Sequence, residues 1–177
     1  GNLNAGYYDV SAAQDKTIIA KKVGTEIYIS SDSKIYANTN ASYLFANVGA
    51  NANSFEIKGI EYLNTINVTN MESMFENCGK KSMVSLNLNA NFDTINVTNM
   101  AKMFKDCGYT AMTTINLGTK FNTTNVTTME SMFENCGYTA LTQLSLANAT
   151  FTTKKVVDMD KMFKNCGYTS LERLELN

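Results

Sequence analysis

Residues 67–79 read NVTNMESMFENCG, and three close copies of this stretch follow along the chain. The copies are NVTNMAKMFKDCG at 96–108, NVTTMESMFENCG at 125–137 and KVVDMDKMFKNCG at 155–167. Their cysteines follow one another at spacings of 29, 29 and 30 residues, at Cys78, Cys107, Cys136 and Cys166. A fixed period of this length is typical of a repeat protein, in which each repeat packs on the next.

A second shared piece follows each copy and extends the repeat to its full length. It reads MVSLNLNANF at 83–92, MTTINLGTKF at 112–121, LTQLSLANATF at 141–151 and LERLELN at 171–177. A weaker copy precedes these repeats, since Phe45 lies 30 residues before Phe75. We therefore predict an N-terminal cap at 1–41 and a repeat region at 42–177. The repeat region comprises a degenerate coil (42–62), coil 1 (63–91), coil 2 (92–120), coil 3 (121–150) and an incomplete coil 4 (151–177).

The first piece of each repeat predicts a short helix. Thr69 and Glu72 have the spacing of a capping box, and Gly79 stands where a left-handed C-cap residue belongs. Between them, apolar residues recur at i, i+3, i+4 and i+7, as on one face of a helix of about two turns: Met71, Met74, Phe75 and Cys78. All ten methionines are explained as core residues by this pattern and by the strand piece that follows.

The second piece predicts a strand with alternating burial. Leu144 and Leu146 point to one side, and Gln143 and Ser145 to the other. Stacked coils should join these strands into one parallel sheet with an inward column of Leu86, Ile115, Leu144 and Leu174. The outward column is the predicted recognition face, with Ser85, Asn87, Thr114, Asn116, Gln143, Ser145, Arg173 and Glu175.

The cap is expected to contain one helix and two strands. Ala12, Ile19, Ala20 and Val23 share a helical face, and Gly24 can end that helix. Strands are predicted at 26–30 and 34–38, around a Ser-Asp-Ser turn. Their expected role is to cover the first coil, because an uncovered coil would expose apolar side chains.

Composition narrows the function classes. The 177 residues are 44% hydrophobic and carry 15 basic and 16 acidic side chains, without the basic excess of a nucleic-acid binder. The chain has no histidine, so histidine-based catalysis and metal binding are not expected. No nucleophile–base pair, phosphate loop or calcium motif can be assembled. We therefore expect no enzyme activity, no cofactor and no nucleic-acid partner.

Charge alternates along one column of the predicted coils. The column runs Glu76, Lys105, Glu134, Lys164. Neighbouring coils would then meet opposite charges, and each such surface pair stabilises by about 0.2–1 kcal/mol. The expected role of the column is to set the register between coils.

The cysteine column allows three interpretations. An extracellular protein with four cysteines suggests two disulfides, and four thiols in a column suggest a metal site. Neither has the expected geometry, because paired Cys-x-x-Cys spacing is absent and the thiols of stacked coils point in parallel. Buried free thiols, packed as small apolar groups, are the favoured interpretation.

Two other repeated features have a structural and a functional interpretation. Tyr109, Tyr138 and Tyr168 form either a stacking ledge for a sugar or partner, or Schellman contacts, with Tyr109 packed on Phe104. The sequons at Asn67, Asn96 and Asn125 suggest glycosylation. They are better explained by threonine helix caps, inward valines and asparagine hydrogen bonds between coils.

The combined motif NVTNM-x-x-MF-x-x-C, followed by LxxLxL and F-x-T, resembles the repeat of BspA-like leucine-rich-repeat bacterial surface proteins. The resemblance covers roughly residues 42–177. It implies a leucine-rich-repeat-like fold, which is an α/β solenoid of right-handed coils with one parallel β-sheet and short helices on the other face. It also implies an extracellular location on a bacterial cell surface, as a lipoprotein or wall-anchored protein, and a broad role in adhesion.

The expected function is non-enzymatic recognition or adhesion, with a solenoid face presented to a host or bacterial surface protein or glycan. The candidate ligand-binding residues are Asn87, Asn116, Gln143, Arg173, Tyr109, Tyr138 and Tyr168. The alternative is a passive spacer or stalk within a larger surface protein. Phe163, Leu174 and Leu176 would be bare at the end of coil 4, so we expect either further chain or self-association to cover them.

Overall fold

The computed structural model describes residues 2–3, 7–9, 18–23, 26–31, 34–88, 91–147 and 149–176. The chain divides into two compact units, Gly1–Tyr36 and Ala37–Asn177. The second unit contains all the repeats. Its boundary falls at Ala37, where the sequence suggested residue 42.

The first unit contains a four-stranded antiparallel sheet. Its strands, in spatial order, are β1 (Asn2–Leu3), β2 (Tyr7–Asp9), β3 (Ile18–Val23) and β4 (Glu26–Ser31). The helix predicted before Gly24 is wrong over Ile18–Val23, which pair with β4 in register from Ile18↔Ser31 to Val23↔Glu26. This segment begins with two isoleucines, and β-branched residues favour strands. Ala12 and Gly24 lie outside the described residues. The strand predicted at 26–30 is confirmed as β4, whereas that at 34–38 is the shorter β5 (Ile35–Tyr36).

Short strands occur once in each repeat. After a single 3-10 turn (Ile60–Tyr62) come β6 (Leu63–Asn64), β7 (Ser85–Asn87), β8 (Thr114–Asn116), β9 (Gln143–Ser145) and β10 (Arg173–Glu175). Strands β7 and β8 pair in parallel, with Leu86 opposite Ile115. Strands β9 and β10 pair in the same way, with Leu144 opposite Leu174.

The prediction of one continuous sheet is wrong, because the four strands form two separate two-stranded sheets. Different turns follow β8 and β9. After β8, the Gly118 N–H bonds to Asn116 Oδ1 and Gly118 has a φ of 78°. Coil 3 instead has one additional residue between Leu146 and Phe151. Since a ladder requires matching backbone paths, this mismatch separates β8 from β9.

Turn segments replace the predicted helices, and the described residues contain no α-helix. These turn segments span 42–51, 72–82, 101–111, 130–140 and 160–170. Ser73 and Asn77 have φ values of 54° and 56°, in the left-handed region that interrupts a right-handed helix. A regular pattern of left-handed residues therefore explains why the helix prediction fails despite its apolar spacing.

Backbone N–H groups in each turn segment alternate between two kinds of acceptor. Glu76 and Cys78 donate to carbonyls three residues earlier. Phe75 and Asn77 donate to the next coil, at Met103 O and Lys105 O, with N–O distances of 2.8 and 2.9 Å. An α-helix would use these N–H groups internally. The turn segments instead leave half of them free to bond the neighbouring coil.

A stack of phenylalanine rings runs through the core of the repeats. Neighbouring ring centroids lie 5.1, 5.5, 5.2 and 5.7 Å apart, and neighbouring planes agree within 13°. The rings belong to Phe45, Phe75, Phe104, Phe133 and Phe163. Phe45 stacks on Phe75 and its N–H donates to Met74 O, so the degenerate coil packs on coil 1 as the later coils pack on one another.

The rest of the core follows the predicted apolar columns with one exception. Nine of the ten methionines are buried, together with Val68, Val97 and Val126. Met159, in the last coil of the stack, is 42% exposed. The prediction that all ten methionines are core is therefore wrong at this residue. The backbone conformation and close packing at Gly108 explain why a glycine stands at this position of the repeat. Its φ is 54°, and an added Cβ would lie 2.5 Å from Met112 Cβ.

Candidate functional site

The predicted recognition face is present as two polar strips. On the first sheet, Ser85 lies opposite Thr114 and Asn87 opposite Asn116, and all four side chains are exposed. Leu86 and Ile115, which alternate with them, are buried. Alternation along these strands therefore presents amide and hydroxyl groups outward, as the sequence predicted.

The second strip contains charged side chains that pair with each other. Gln143 and Arg173 lie opposite each other and are exposed. Arg173 Nη2 lies 2.8 Å from Glu175 Oε1, and Ser145 Oγ donates to Glu175 Oε2 at 2.7 Å. The hydrogen bond from Ser145 and the charge of Arg173 hold the pKa of the Glu175 carboxyl below its ordinary value. Arg173 is therefore committed to an internal partner, and Gln143 is the more available side chain.

A cleft of about 170 Å³ lies between the two strips, where β8 and β9 fail to pair. It is lined by Ile115, Asn116, Leu117, Gly118, Ser145 and Ala149. The sequence predicted a continuous sheet here and missed the cleft. Two signals marked the place: Gly118, which has no counterpart in coils 1 and 3, and the additional residue after Leu146.

The rings of the tyrosine column stack on one another, so most of their faces are covered by neighbouring side chains. Ring centroids lie 4.6 Å apart for Tyr109–Tyr138 and 5.0 Å for Tyr138–Tyr168. Lys80 Nζ covers the other side of Tyr109, 5.4 Å from its ring centroid. A sugar ledge needs open ring faces, and within this column only the outer face of Tyr168 is open. The Schellman interpretation is also wrong, because Gly108 lies within the turn segment 101–111 and does not end a helix.

The column offers polar edges more than stacking surfaces. Burial, followed by the neighbouring Tyr109 and Tyr168, raises the pKa of the Tyr138 hydroxyl. Tyr138 is therefore a neutral hydrogen-bonding group over the physiological range. Lys80, at the corresponding position of coil 1, contributes a cation–π contact with Tyr109 and an ion pair with Asp106 at 3.4 Å.

The four cysteines are free and buried, which confirms the favoured interpretation of their column. Burial raises the pKa of the Cys78 and Cys166 thiols to about 12. Burial raises the pKa of Cys107 and Cys136 well above the ordinary value as well. Such thiols are protonated and shielded, so they are poor nucleophiles and poor metal ligands. Among the described residues, no three His, Cys, Asp or Glu side chains group as a metal site.

The alternating charges pair as the sequence predicted between coils 2 and 3 and between coils 3 and 4, whereas no ion pair joins Glu76 to Lys105. The buried Glu134 carboxylate lies between two lysines, with Lys105 Nζ 3.2 Å from Oε2 and Lys164 Nζ 3.2 Å from Oε1. Burial alone would raise the pKa of Glu134. Hydrogen bonds from Lys164, Ser131 and Lys105 outweigh it and hold that pKa below its ordinary value. A second pair, Lys102–Glu130 at 3.4 Å, joins the same two coils, 2 and 3.

The sequons belong to side-chain ladders between coils. Asn96 Nδ2 donates to Ile66 O and Asn125 Nδ2 to Ile95 O, both at 2.8 Å, which confirms the predicted asparagine role at these two positions. The threonine helix caps are wrong. The hydroxyls instead donate to the preceding coil, Thr98 Oγ1 to Thr69 O at 3.2 Å and Thr127 Oγ1 to Thr98 O at 3.0 Å.

Comparison with known proteins places the chain in one family. Residues 39–173 match the family described as DUF285, Mycoplasma protein of unknown function. The chain belongs to this family. The match covers the degenerate coil and nearly all of coils 1–4, so the DUF285 region is the repeat unit described above. Neither the curated proteins nor the solved structures contain a match to this chain.

The described residues also contain no helix long and apolar enough to span a membrane.

Proposed function

We propose that this DUF285 chain is a non-enzymatic recognition module: a right-handed, leucine-rich-repeat-like solenoid that presents its strand side to a protein or glycan. The turn segments stand where the helices of that fold were expected. The observation that carries the proposal is the outward polar strip above the buried side chains of Leu86, Ile115 and Leu144. Exposed amides and hydroxyls held in register by a rigid core are suited to adaptable hydrogen bonding with a ligand.

The part of the strip most suited to a ligand is the first sheet together with Gln143. Thr114 and Gln143 are exposed on β8 and β9, and the cleft between these strands is lined on its two sides by Asn116 and Ser145. Arg173 contributes less, because Glu175 already pairs with it. Polar groups on both sides of a concave site are typical of small-ligand and peptide binding surfaces.

The proposed location is the extracellular bacterial surface, as for the BspA-like proteins whose repeat the sequence resembles. Burial raises the pKa of the Cys107 and Cys136 thiols, so these thiols stay protonated and react slowly with oxidants. This supports a fold that tolerates an oxidising environment without disulfides. The absence of an assembled nucleophile and base in the described residues supports a binding role rather than an enzymatic one.

A glycan-array and matrix-protein binding screen tests the recognition proposal. Each hit is measured again with Thr114→Lys, Gln143→Lys and the control Thr124→Lys, which adds the same charge outside both sheets. We expect the first two changes to weaken binding at least about tenfold and the control to leave it unchanged. Binding that is unaffected by all three changes would contradict the strand-side site.

A spacer role is the second candidate, and the ladders between coils favour it. Phenylalanine rings, tyrosine rings, threonine hydroxyls and asparagine amides each join neighbouring coils in a repeated way. Such contacts resist separation of the coils without requiring a ligand. If the screen yields no ligand and pulling measurements show a high unfolding force, the spacer role replaces recognition.

A further inference from the structure

One backbone hydrogen bond, just beyond the end of the strand, recurs between neighbouring coils. Leu88 N–H, after β7, donates to Asn116 O of coil 2 at 2.9 Å. Leu146 N–H, after β9, donates to Glu175 O of coil 4 at the same distance, 2.9 Å. Leu117 stands at this position of coil 2, but no bond joins its N–H to Ser145 O of coil 3. Among coils 1–4, only the junction between coils 2 and 3 therefore lacks this bond.

The missing bond leaves the Leu117 N–H without a partner. Leu117 is 3% exposed, and its N–H has no acceptor among the residues that the structure describes. Buried N–H groups without a partner are rare in folded proteins, so such a group indicates a place for a water or a ligand. Leu117 and Ser145 both line the cleft between β8 and β9. The cleft thus has a free backbone donor on one side and, on the other, the carbonyl that a continuous ladder would pair with it.

The lining of the cleft is uncharged and partly apolar. None of its residues has an ionisable side chain; they are Ile115, Asn116, Leu117, Gly118, Ser145 and Ala149. Ile115 and Ala149 are 9% and 6% exposed. An anion is disfavoured further by the Glu175 carboxylate, which accepts a hydrogen bond from Ser145 Oγ at 2.7 Å. The cleft therefore suits a neutral group with one acceptor, one donor and a small apolar part.

The spacing of the two strands limits what can enter the cleft. Cα atoms of β8 and β9 approach within 8 Å of each other. A peptide strand inserted between them would need about 4.7–4.9 Å on each side, which is about 9.5 Å between β8 and β9. Addition of a peptide strand is therefore excluded here, and the volume of about 170 Å³ suits a single small group.

We propose that this cleft binds the acetamido group of an N-acetylated amino sugar, a proposal that rests on the recognition function proposed above. The acetamido carbonyl would accept from Leu117 N–H, and the acetamido N–H would donate to Ser145 O. The methyl group would pack on Ile115 and Ala149. A sugar hydroxyl can also accept and donate, but it would leave the apolar part of the lining without a contact.

The surroundings of the cleft favour a sugar over an acetylated peptide. Thr114, Asn116 and Gln143 are exposed on β8 and β9 and carry neutral hydroxyl and amide groups. Such groups suit the hydroxyls of the sugar ring, which donate and accept hydrogen bonds without charge. The acetamido group would fix the sugar in the cleft, and these side chains would contact the rest of the ring.

An NMR titration of the isotope-labelled protein tests the proposal. The amides of Leu88 and Leu146 are internal controls, because both are already bonded. N,N′-diacetylchitobiose should shift the Leu117 amide signal saturably, slow its hydrogen exchange and leave the two controls unchanged. Cellobiose, with hydroxyls in place of the acetamido groups, should bind at least about tenfold more weakly. No Leu117 shift with diacetylchitobiose, or equal binding of cellobiose, would overturn the proposal.

A variant that fills the cleft sharpens the test. Ala149→Leu should abolish the Leu117 shift, whereas Ala147→Leu adds the same atoms at an exposed position outside the cleft and should leave it unchanged. A folded Ala149→Leu protein that binds diacetylchitobiose as tightly as wild type would contradict the site. If this variant does not fold, the comparison of the two sugars on the wild-type protein still decides.

Failure of this inference and failure of the recognition function give different results. A ligand from the screen that lacks an acetamido group, loses affinity with Thr114→Lys and leaves Leu117 unshifted would retain recognition and overturn the acetamido site. No ligand in the screen and no shift with either sugar would overturn both. The capped residue N-acetylalanine methylamide covers the peptide alternative, because tighter binding of it than of diacetylchitobiose would overturn the choice of a sugar.

Discussion

The turn segments and the strands of the same coils differ in how far their hydrogen bonding extends. On the turn side, Phe45, Phe75, Phe104 and Phe133 each donate an N–H to the following coil, at 2.8 Å in every case. This row runs without interruption from the degenerate coil to coil 4. On the strand side, β7–β8 and β9–β10 pair, but no ladder joins β8 to β9.

The difference shows which side holds the repeats together. Turn-side contacts combine backbone bonds, stacked rings and ion pairs at every junction around coils 2 and 3. Strand pairing is three residues long, and no hydrogen-bonded pairing joins β8 to β9. We infer that stability depends mainly on the turn segments, whereas the strands carry the proposed recognition face.

Phe104→Ala should have the largest effect, because its ring is fully buried between Phe75 and Phe133. Large core truncations of this kind cost about 3–5 kcal/mol. Ile115→Ala on the strand side, next to the cleft, should cost nearer to about 2 kcal/mol. Urea unfolding of the two variants measures the difference, and an equal cost would remove the contrast between the two sides.

Gly108→Ala should come next, because it combines two separate penalties. A left-handed backbone costs a residue with a Cβ about 1–2 kcal/mol, and the new Cβ would lie 2.5 Å from Met112 Cβ. Gly59→Ala is the matched control, since Gly59 also has a positive φ but its nearest neighbour would be 3.5 Å away. Thermal unfolding should show a larger loss for Gly108→Ala. A larger loss for Gly59→Ala would show that close packing against Met112 does not contribute to the cost of Gly108→Ala.

Glu134→Gln should cost about 1–2 kcal/mol at neutral pH, because two lysines lose their shared carboxylate. The folded-state pKa of Glu134 lies below its ordinary value of 4.5. Its contribution is therefore complete above pH 4.5 and is lost as pH falls through the lower folded pKa.

The free energy of unfolding, measured from pH 7 down to pH 3, checks this prediction. The gap between wild type and Glu134→Gln should narrow on acidification. Glu76→Gln, at the same position in coil 1, should cost less than about 0.5 kcal/mol, since Glu76 has no ion pair within 4 Å among the described residues. A gap that widens at low pH would contradict the sign of the shift.

Thr114→Lys should have the smallest effect. The side chain is exposed on β8, and substitutions at such positions usually change stability by less than about 0.5 kcal/mol. The same variant is expected to weaken ligand binding, so stability and binding should separate at this residue. A loss above 1 kcal/mol in urea unfolding would show that the strand side carries more of the fold than we infer.

Periodicity predicted most of the packing but not the backbone. Phe75, Met71 and Cys78 are buried as their spacing indicated. The spacing i, i+3, i+4, i+7 cannot separate a helix from a series of turns that buries the same side chains. The missed signal was local chemistry: Asn70 and Asn99 accept N–H bonds two residues later, at Glu72 and Ala101, which are turn contacts rather than helix caps.

The candidate site was predicted in part for a related reason. Alternation along a strand identified Asn87, Asn116 and Gln143 as outward, and the structure confirms their exposure. Pairing between strands depends on the turns that follow them. The missing pairing between β8 and β9, beside Gly118, therefore could not be predicted from the strand sequences alone. Ring stacking of the tyrosines likewise depends on the distance between coils, which the helix prediction did not supply.

Through-hydrogen-bond couplings measured by NMR test the central claim most directly, because they identify the carbonyl that accepts each N–H. We predict couplings from the amides of Ser73, Phe75 and Asn77 to the carbonyl carbons of Ala101, Met103 and Lys105, which bond at N–O distances of 2.8–2.9 Å. Couplings from these amides to carbonyls four residues earlier would instead show a helix and contradict the account.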